Sequence, residues 1–298
     1  MNALLYFSVV LLWGTTWLAI AIQNGCQVSS ITSIFYRFVI ACAILFIGLL
    51  STKRLQKISF QDHLFCVLQG CCIFGLNFYC FYQATHYIAS GLVSVMFSLA
   101  VLFNAFNYWL FFHQRPSFNL FPASLLGVIG MMLLFWQDLF AEQISFDLLK
   151  GLALSMLGVY SFSLGNMLSL RHQRQGLDVF STNAYAMGYG TVVMGLIGLI
   201  SGVSFAPDFS VRYFGTLFYL AIFGSVFAFA AYFTLIGRIG ASKAAYSTLL
   251  ATLVALVLST FFEGYHWHLS GFIGLILILS GNVVMFLKPL KVSKKELG

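Results

Sequence analysis

A succession of long apolar stretches constrains the fold of this chain more than any other feature of its sequence. Each stretch is close to the roughly 20 residues that an α-helix needs to cross the hydrocarbon layer of a bilayer. With 60% hydrophobic and only 8% charged residues, the chain carries more apolar surface than one aqueous core could bury. The sequence therefore predicts an all-α polytopic membrane protein with ten transmembrane helices, near residues 3–22, 31–50, 64–83, 90–112, 118–137, 148–170, 180–202, 213–236, 242–262 and 270–287.

The basic residues predict the orientation of these helices, because Lys and Arg accumulate on the cytoplasmic side of short loops. With the N-terminus inside, twelve of the 15 Lys and Arg residues fall on the cytoplasmic side. Lys150 and Arg212 fall on the outer side, and Arg37 lies in the membrane. We therefore expect a multi-pass protein of the plasma membrane with both termini in the cytoplasm. The formal net charge of +7 reflects this topology, and we expect no nucleic acid partner.

The second half of the chain repeats the first. A shift of 151 positions aligns identical residues in one register across five spans, for example Phe78 with Phe229 and Gly130 with Gly281. Because five is an odd number, the second copy enters the membrane upside down, and inverted repeats are typical of secondary transporters. We expect a site between the repeats that opens alternately to either side. The predicted segments are a first five-helix repeat (1–137), an acidic outer connecting loop (138–147), a second, inverted repeat (148–287) and a basic cytoplasmic tail (288–298).

Three motifs in the first half carry a resemblance to a known family. WGTTW at 13–17, FYRFVIA at 35–41, and FYQA at 81–84 leading into ASGLVS at 89–94 resemble the EamA-type members of the drug/metabolite transporter superfamily. The resemblance implies a ten-helix exporter of amino acids and related metabolites in the bacterial plasma membrane. It also implies that helices one to four and six to nine surround a central cavity, with the fifth and tenth behind them.

The chain departs from the family pattern at the ends and middles of two helices. The proline that the family usually has in the fourth and ninth helices is replaced by Val101 and Thr252. The glutamate that usually follows the fourth helix is replaced by Gln114, whereas Glu263 is kept after the ninth. Because a helix-breaking proline can serve as a hinge, its absence argues against gating by proline hinges.

Polar and aromatic side chains at helical spacing are the candidates for the cavity wall. One predicted face of the third helix holds Gln69, Tyr79 and Gln83, together with Phe65, Cys72 and Leu76. A face of the fourth holds Ser90, Ser94, Phe97, Val101, Asn104 and Tyr108. Such faces suit a small amphipathic ligand, although Ser, Asn and Gln also hold membrane helices together without any ligand. The predicted substrate-binding residues are Arg37, Trp13, Thr16, Gln69, Tyr79, Gln83, Ser94, Asn104, Tyr160 and Asn166.

Arg37 is the one arginine that falls inside a predicted span, and the other charged residues lie outside the spans or at their edges. It lies about six residues from the outer end of that span, which places it roughly 10 Å deep. A guanidinium there can bind a carboxylate or phosphate through two parallel hydrogen bonds. The alternative is a structural role, in which it caps carbonyls at a helix end or a neighbouring amide. Gly188 occupies the equivalent position in the second repeat, so a ligand with one anionic end would bind in one orientation.

The predicted spans contain no Asp or Glu, and all six His residues fall in loops or at helix edges. Proton-driven carriers usually present such a group inside the membrane. We therefore expect a facilitator or exchanger that is driven by the gradient of its own solute.

Two other functions remain open from the sequence. A carrier of cationic or quaternary-ammonium compounds would use the aromatic residues as a cation-π cage, although Arg37 would repel such a ligand. A membrane sensor or assembly subunit that transports nothing is the second. We expect no enzyme activity, because Gly-x-Ser-x-Gly, His-Glu-x-x-His and paired membrane carboxylates are all absent from the sequence. The expected partners are the lipid bilayer and a small-molecule solute, with no cofactor and no metal.

Overall fold

The computed structural model describes residues 2–113, 119–134, 136, 145–239, 244, 246–264 and 267–286. These residues are mostly helical and include no strand. Gln114, most of the predicted connecting loop and the predicted tail lie outside them. The helices are α1 (Asn2–Asn24), α2 (Ser30–Ser51), α3 (Phe60–Ala84), α4 (Ser90–Phe112), α5 (Leu120–Leu134), α6 (Phe146–Arg174), α7 (Val179–Ile200), α8 (Val211–Ile239), α9 (Tyr246–Phe262) and α10 (Leu269–Phe286).

The helical membrane fold that the apolar stretches predict is confirmed. Among the described residues, α1 to α4 and α6 to α8 are long and apolar enough to cross a membrane, while the apolar parts of α5, α9 and α10 are shorter. The count of ten spans therefore stays a prediction. In the predicted orientation, α2, α4, α6 and α8 begin at the outer face of the membrane and end at the inner face.

Short polar side chains fix where many of these helices begin. In each case the side chain accepts a hydrogen bond from a backbone N–H in the first turn, which has no partner within the helix. Because these caps stand before the apolar stretches, the helices begin up to four residues earlier than the stretches predict. The capping residues are Ser29 of α2, Ser59 of α3, Ser145 of α6, Asp178 of α7 and Ser210 of α8.

Eight helices surround the centre of the protein. Helix α1 packs on α8 and α9, α2 packs on α7 and α8, and α3 and α4 both pack on α6. Each of the helices α1 to α4 thus contacts at least one helix of the second repeat. Helices α5 and α10 pack mainly on each other, which places them behind the bundle, as the family resemblance implies.

The contact between α5 and α10 is reciprocal under the 151-residue shift. A Cβ atom added to Gly130 would lie 2.6 Å from the carbonyl oxygen of Gly274, and one added to Gly281 would lie 2.7 Å from that of Ala123. The shift aligns Gly130 with Gly281 and Ala123 with Gly274. The two close approaches are therefore related by the repeat, and small residues at both let the helix backbones meet.

Two π-helical segments also follow the repeat. One, Gly70–Asn77, lies in the middle of α3, and the other, Ile222–Phe227, lies in the middle of α8. The shift places residues 70–77 on 221–228, so the two segments occupy equivalent positions. A π turn is wider than an α turn and is often found at functional sites. We therefore expect functional side chains around both segments.

Helix α4 is broken although it lacks the proline of the family pattern. The regular helix ends at Phe97 and resumes at Ala100. At the break, the N–H of Ser98 donates to the carbonyl of Val95, so the carbonyl of Ser94 is released from the helix. That carbonyl accepts a hydrogen bond from Oγ1 of Thr252 in α9, at 2.8 Å. A threonine from the other repeat thus stabilises the break.

Candidate substrate cavity

A small cavity lies at the centre of the eight surrounding helices. Its volume is about 30 Å³, which is room for a water molecule but not for an amino acid. The side chains that line it come from α1, α2, α3, α4, α6 and α8, so both repeats contribute to the wall. They are Trp13, Thr16, Trp17, Ile20, Arg37, Asn77, Phe78, Phe81, Phe97, Phe162 and Phe229.

Arg37 is fully buried in the cavity wall and is held by the π segment of α8. Its Nε donates to Oγ of Ser225 at 2.9 Å, and its Nη2 donates to the carbonyl of Gly224 at 3.5 Å. The Ser225 hydroxyl in turn donates to the carbonyl of Leu220, five residues earlier. Two of the three guanidinium nitrogens therefore have partners in the second repeat. The third, Nη1, makes no hydrogen bond within 3.5 Å among the described residues, although the guanidinium lies close to the Tyr82 hydroxyl, which donates to Gln23.

The charge of Arg37 is balanced by an aromatic face rather than by an acid. Its guanidinium carbon lies 4.3 Å from the centre of the Phe78 ring, a cation-π contact. In the part of the chain that the structure describes, the one ion pair within 4.0 Å joins Arg171 and Asp62. The cavity thus presents a buried cation with one free donor nitrogen.

Aromatic rings form most of the remaining wall. Trp13 lies at the middle of α1 and meets Phe97, Phe162 and Phe229 edge-on, with ring centres 5.9, 5.8 and 5.2 Å apart. We call these four residues the aromatic layer. Because α1 spans the bundle, the layer lies near the middle of the membrane, and it supplies apolar surface for the uncharged part of a ligand.

A buried polar group lies against this layer. Nδ2 of Asn166 donates to Oδ1 of Asn104 at 3.2 Å and to the hydroxyl of Tyr232 at 3.4 Å. The Tyr232 ring lies 4.6 Å from that of Trp13. Asn104, Asn166 and Tyr232 form what we call the amide cluster, which joins α4, α6 and α8.

The structure brings together five of the ten predicted site residues. Trp13, Thr16 and Arg37 line the cavity, and Asn104 and Asn166 meet in the amide cluster. The other five lie elsewhere. Ser94 is buried at the contact of α4 with α9, and Gln83 donates a hydrogen bond to Ser30 near the outer ends of α3 and α2. Gln69 is buried and its Oε1 has no partner among the described residues. Tyr160 packs on Phe103, and Tyr79 lines a groove between α3 and α7.

The predicted single face of α3 is therefore not formed, and the π segment is the physical reason. A π turn holds more residues than an α turn, so a stripe drawn at 3.6 residues per turn rotates out of register when it crosses residues 70–77. Gln69 before the segment is buried, whereas Leu76 within it is 43% exposed. Asn77, Phe78 and Phe81 face the cavity instead.

Several residues of the site were not among the sequence candidates. Phe78 and Phe229 carried a usable signal, because the 151-residue shift pairs them and both line the cavity. Ser225 and Tyr232 carried none, because a single hydroxyl in an apolar helix does not show what it contacts. Their roles follow only from the packing of α8 on α2 and α6.

A carboxylate of the second repeat caps a helix of the first. Ala89 precedes α4 and has no capping side chain, so the first N–H groups of α4 need another partner. Glu263, just after α9, accepts hydrogen bonds from the Ser90 N–H at 3.3 Å and the Ser90 hydroxyl at 2.5 Å. The acid that the family keeps after the ninth helix thus joins the repeats at the predicted outer face.

Replacing Glu263 by alanine is expected to lower the free energy of unfolding by about 1–2 kcal/mol, the usual contribution of a helix cap. Denaturant unfolding of the purified protein measures the change. A double-mutant cycle with Ser90→Ala should show a coupling energy of about 0.5 kcal/mol or more, because the two residues share the same bonds. Additive single effects would show that this contact does not stabilise the protein.

Comparisons with known proteins agree with the fold. The family model described as the EamA-like transporter family matches residues 1–136 and 142–287. A relative from Bacillus subtilis (strain 168), named "Uncharacterized transporter YoaV", is 22% identical over 91% of this chain and 90% of its own length. One from Buchnera aphidicola subsp. Schlechtendalia chinensis, named "Uncharacterized transporter in trpA 3'region", is 24% identical over 96% and 92%.

A protein known from a crystal structure shares the fold, with a TM-score of 0.66, 17% identity and 96% of each chain covered. The family match and the two relatives named as transporters identify the chain as a membrane transporter. The chain belongs to the EamA-like transporter family, which is part of the drug/metabolite transporter superfamily.

Proposed function

We propose that this transporter exports small amphipathic solutes with one anionic end, namely amino acids or related compounds, across the bacterial inner membrane. The observation that carries the proposal is the free Nη1 of Arg37 in the wall of the central cavity. A buried cation in a membrane protein is costly unless it is paired. A carboxylate in the cavity would provide that partner and form charge-assisted hydrogen bonds.

The composition of the wall favours a carboxylate over a phosphate. Of the described residues that line the cavity, Arg37 is the one with a positive charge, which matches a single negative charge better than the two of a phosphate monoester. The aromatic layer can hold the apolar part of the same ligand. The export direction and the amino acid class rest on the family resemblance.

The proposed mechanism is alternating access, because the cavity of about 30 Å³ must enlarge before it can hold an amino acid. The break in α4 and the π segments of α3 and α8 are places where the helices lack regular hydrogen bonds, so they are suited to bending. The proposed orientation has both termini in the cytoplasm.

One observation favours the cationic alternative. The aromatic layer could surround a quaternary ammonium group through cation-π contacts. Arg37 opposes this function because its charge lies in the same wall and already occupies the face of Phe78.

Counterflow in proteoliposomes distinguishes these functions. Vesicles are loaded with unlabelled L-leucine, L-methionine or L-phenylalanine, and uptake of the labelled amino acid is followed. We expect uptake that external amino acids inhibit and that their methyl esters inhibit at least about tenfold less well, since the ester lacks the charged group. A parallel set of vesicles is loaded with choline and given labelled choline. Counterflow of choline without counterflow of amino acids would indicate a cation carrier, and absence of flux with every solute would indicate a non-transporting protein.

We expect the same uptake with and without a pH gradient. In the described helices, Asp62 and Asp147 lie in first turns, His63 lies in the first turn of α3 beside Tyr189, and His172 is buried near the inner end of α6, beside Cys66. None of these groups lines the central cavity. A pH dye inside the vesicles should report no proton movement when substrate is added. Proton movement that His172→Gln abolishes would contradict solute-driven transport and assign the coupling to that residue.

A further inference from the structure

Helix α8 places the amide cluster on the same side as Arg37 but deeper in the membrane. Ser225, Phe229 and Tyr232 are spaced i, i+4 and i+7, so they follow one face of the helix. Ser225 holds Arg37, Phe229 belongs to the aromatic layer, and Tyr232 belongs to the amide cluster. Seven residues of helix correspond to about 10 Å, which separates the two polar groups.

The positions on the other helices agree with this order. Arg37 lies seven residues after Ser30, the outer end of α2, and Asn166 lies eight residues before Arg174, the inner end of α6. These spacings correspond to depths of about 10 Å and 12 Å from opposite faces. The centre of the bundle therefore contains a cation, an aromatic layer and the amide cluster in succession.

The amide cluster has unused hydrogen-bonding capacity. Asn104 and Asn166 are both buried, yet they share one hydrogen bond rather than a reciprocal pair. Nδ2 of Asn104 and Oδ1 of Asn166 make no hydrogen bond within 3.5 Å among the described residues, although Asn104 also lies beside the Tyr232 hydroxyl. Leaving such atoms unpaired away from water is unfavourable. If the two amides only held the helices together, a reciprocal pair of hydrogen bonds between them would be more stable than the single bond that they share.

We infer that the amide cluster is a second binding position on the translocation path, and that it accepts the uncharged carboxamide group of a substrate. The free donor, Nδ2 of Asn104, matches a carboxamide oxygen, and the free acceptor, Oδ1 of Asn166, matches a carboxamide N–H. The Tyr232 hydroxyl holds Asn166 in place. This inference rests on the proposed function, and it names amino acids with an amide side chain as the favoured substrates.

The test compares L-glutamine with L-methionine, which has a side chain of similar length without an amide. Binding is measured by thermal stabilisation of the purified full chain over a range of concentrations. Wild type is expected to bind glutamine about tenfold more tightly, the effect of one or two neutral hydrogen bonds. In the double variant Asn104→Leu with Asn166→Leu, glutamine should bind no better than methionine.

The matched control is Asn107→Leu, one turn further along α4, where an equally buried amide donates to Ser163 and also has an unpaired oxygen, but lies outside the amide cluster. This variant is expected to keep the preference for glutamine. Asn166→Ser removes the amide with less change in shape, and it provides the same comparison if the leucine variant does not fold.

The outcomes separate this inference from the proposed function. If wild type binds neither amino acid, the proposed function and this inference both fail. If it binds both equally, or if the preference survives in the double variant, the assignment of the amide cluster is wrong while the proposed function stands.

Discussion

Replacing Arg37 by glutamine is expected to weaken amino acid binding about 10- to 100-fold. Charge-assisted hydrogen bonds contribute about 1.5–3 kcal/mol, and glutamine cannot supply the charge that the proposed carboxylate needs. Arg37→Lys should retain part of the affinity, because it keeps the charge but loses the planar donor geometry. Thermal stabilisation of each purified variant by L-leucine or L-methionine measures the loss.

Two further variants decide whether the effect of Arg37→Gln comes from binding. Arg171→Gln removes a basic residue that is paired with Asp62 near the inner face, and it should leave affinity unchanged. Ser225→Ala removes a partner of Arg37 and should lower stability more than affinity. If Arg37→Gln lowers stability but binds amino acids as wild type does, Arg37 is only a structural cap.

Alanine at Gly274 is expected to destabilise the protein by about 2–3 kcal/mol, because the new Cβ atom would overlap backbone atoms of α5. The added atom would lie 2.5 Å from the backbone nitrogen of Leu134 and would also overlap the carbonyl of Gly130. The two helices must separate to accept it. The melting temperature should fall by roughly 5–10 °C, as measured by thermal unfolding in detergent.

Gly215→Ala is the matched control for this prediction. Gly215 is also in the interior of a helix, α8, but a Cβ atom added there meets nothing within 4 Å. It should be neutral or stabilising by up to about 1 kcal/mol, since alanine favours a helix more than glycine does. Equal effects at Gly274 and Gly215 would contradict the close approach of α5 and α10.

The apolar stretches were sufficient to predict the helices but not their ends. Helix α6 extends from Phe146 to Arg174, whereas the apolar stretch covers 148–170. The reason is that Ser145 caps the helix before the stretch begins, and the last turn, with Arg171 and Arg174, is polar. Caps and polar last turns lie outside a hydropathy signal, although they can be read from residue types.

The cavity could be predicted only in part. Trp13, Thr16 and Arg37 stood out because they are polar or bulky residues within recognisable motifs. Tyr79 was misplaced because the π segment of α3 leaves no trace in the periodicity of the sequence. Asn104 and Asn166 were identified as separate candidates, but their contact depends on how α4 packs on α6, which one sequence does not reveal.

The most direct test of the central claim is an experimental structure with an amino acid bound. We predict that the ligand occupies an enlarged central cavity, with a carboxylate oxygen about 2.7–2.9 Å from Nη1 of Arg37, the distance of a charge-assisted hydrogen bond. Its side chain should lie against the aromatic layer. A ligand bound with its carboxylate away from Arg37, or an Nη1 that bonds to another protein group in that structure, would contradict the claim.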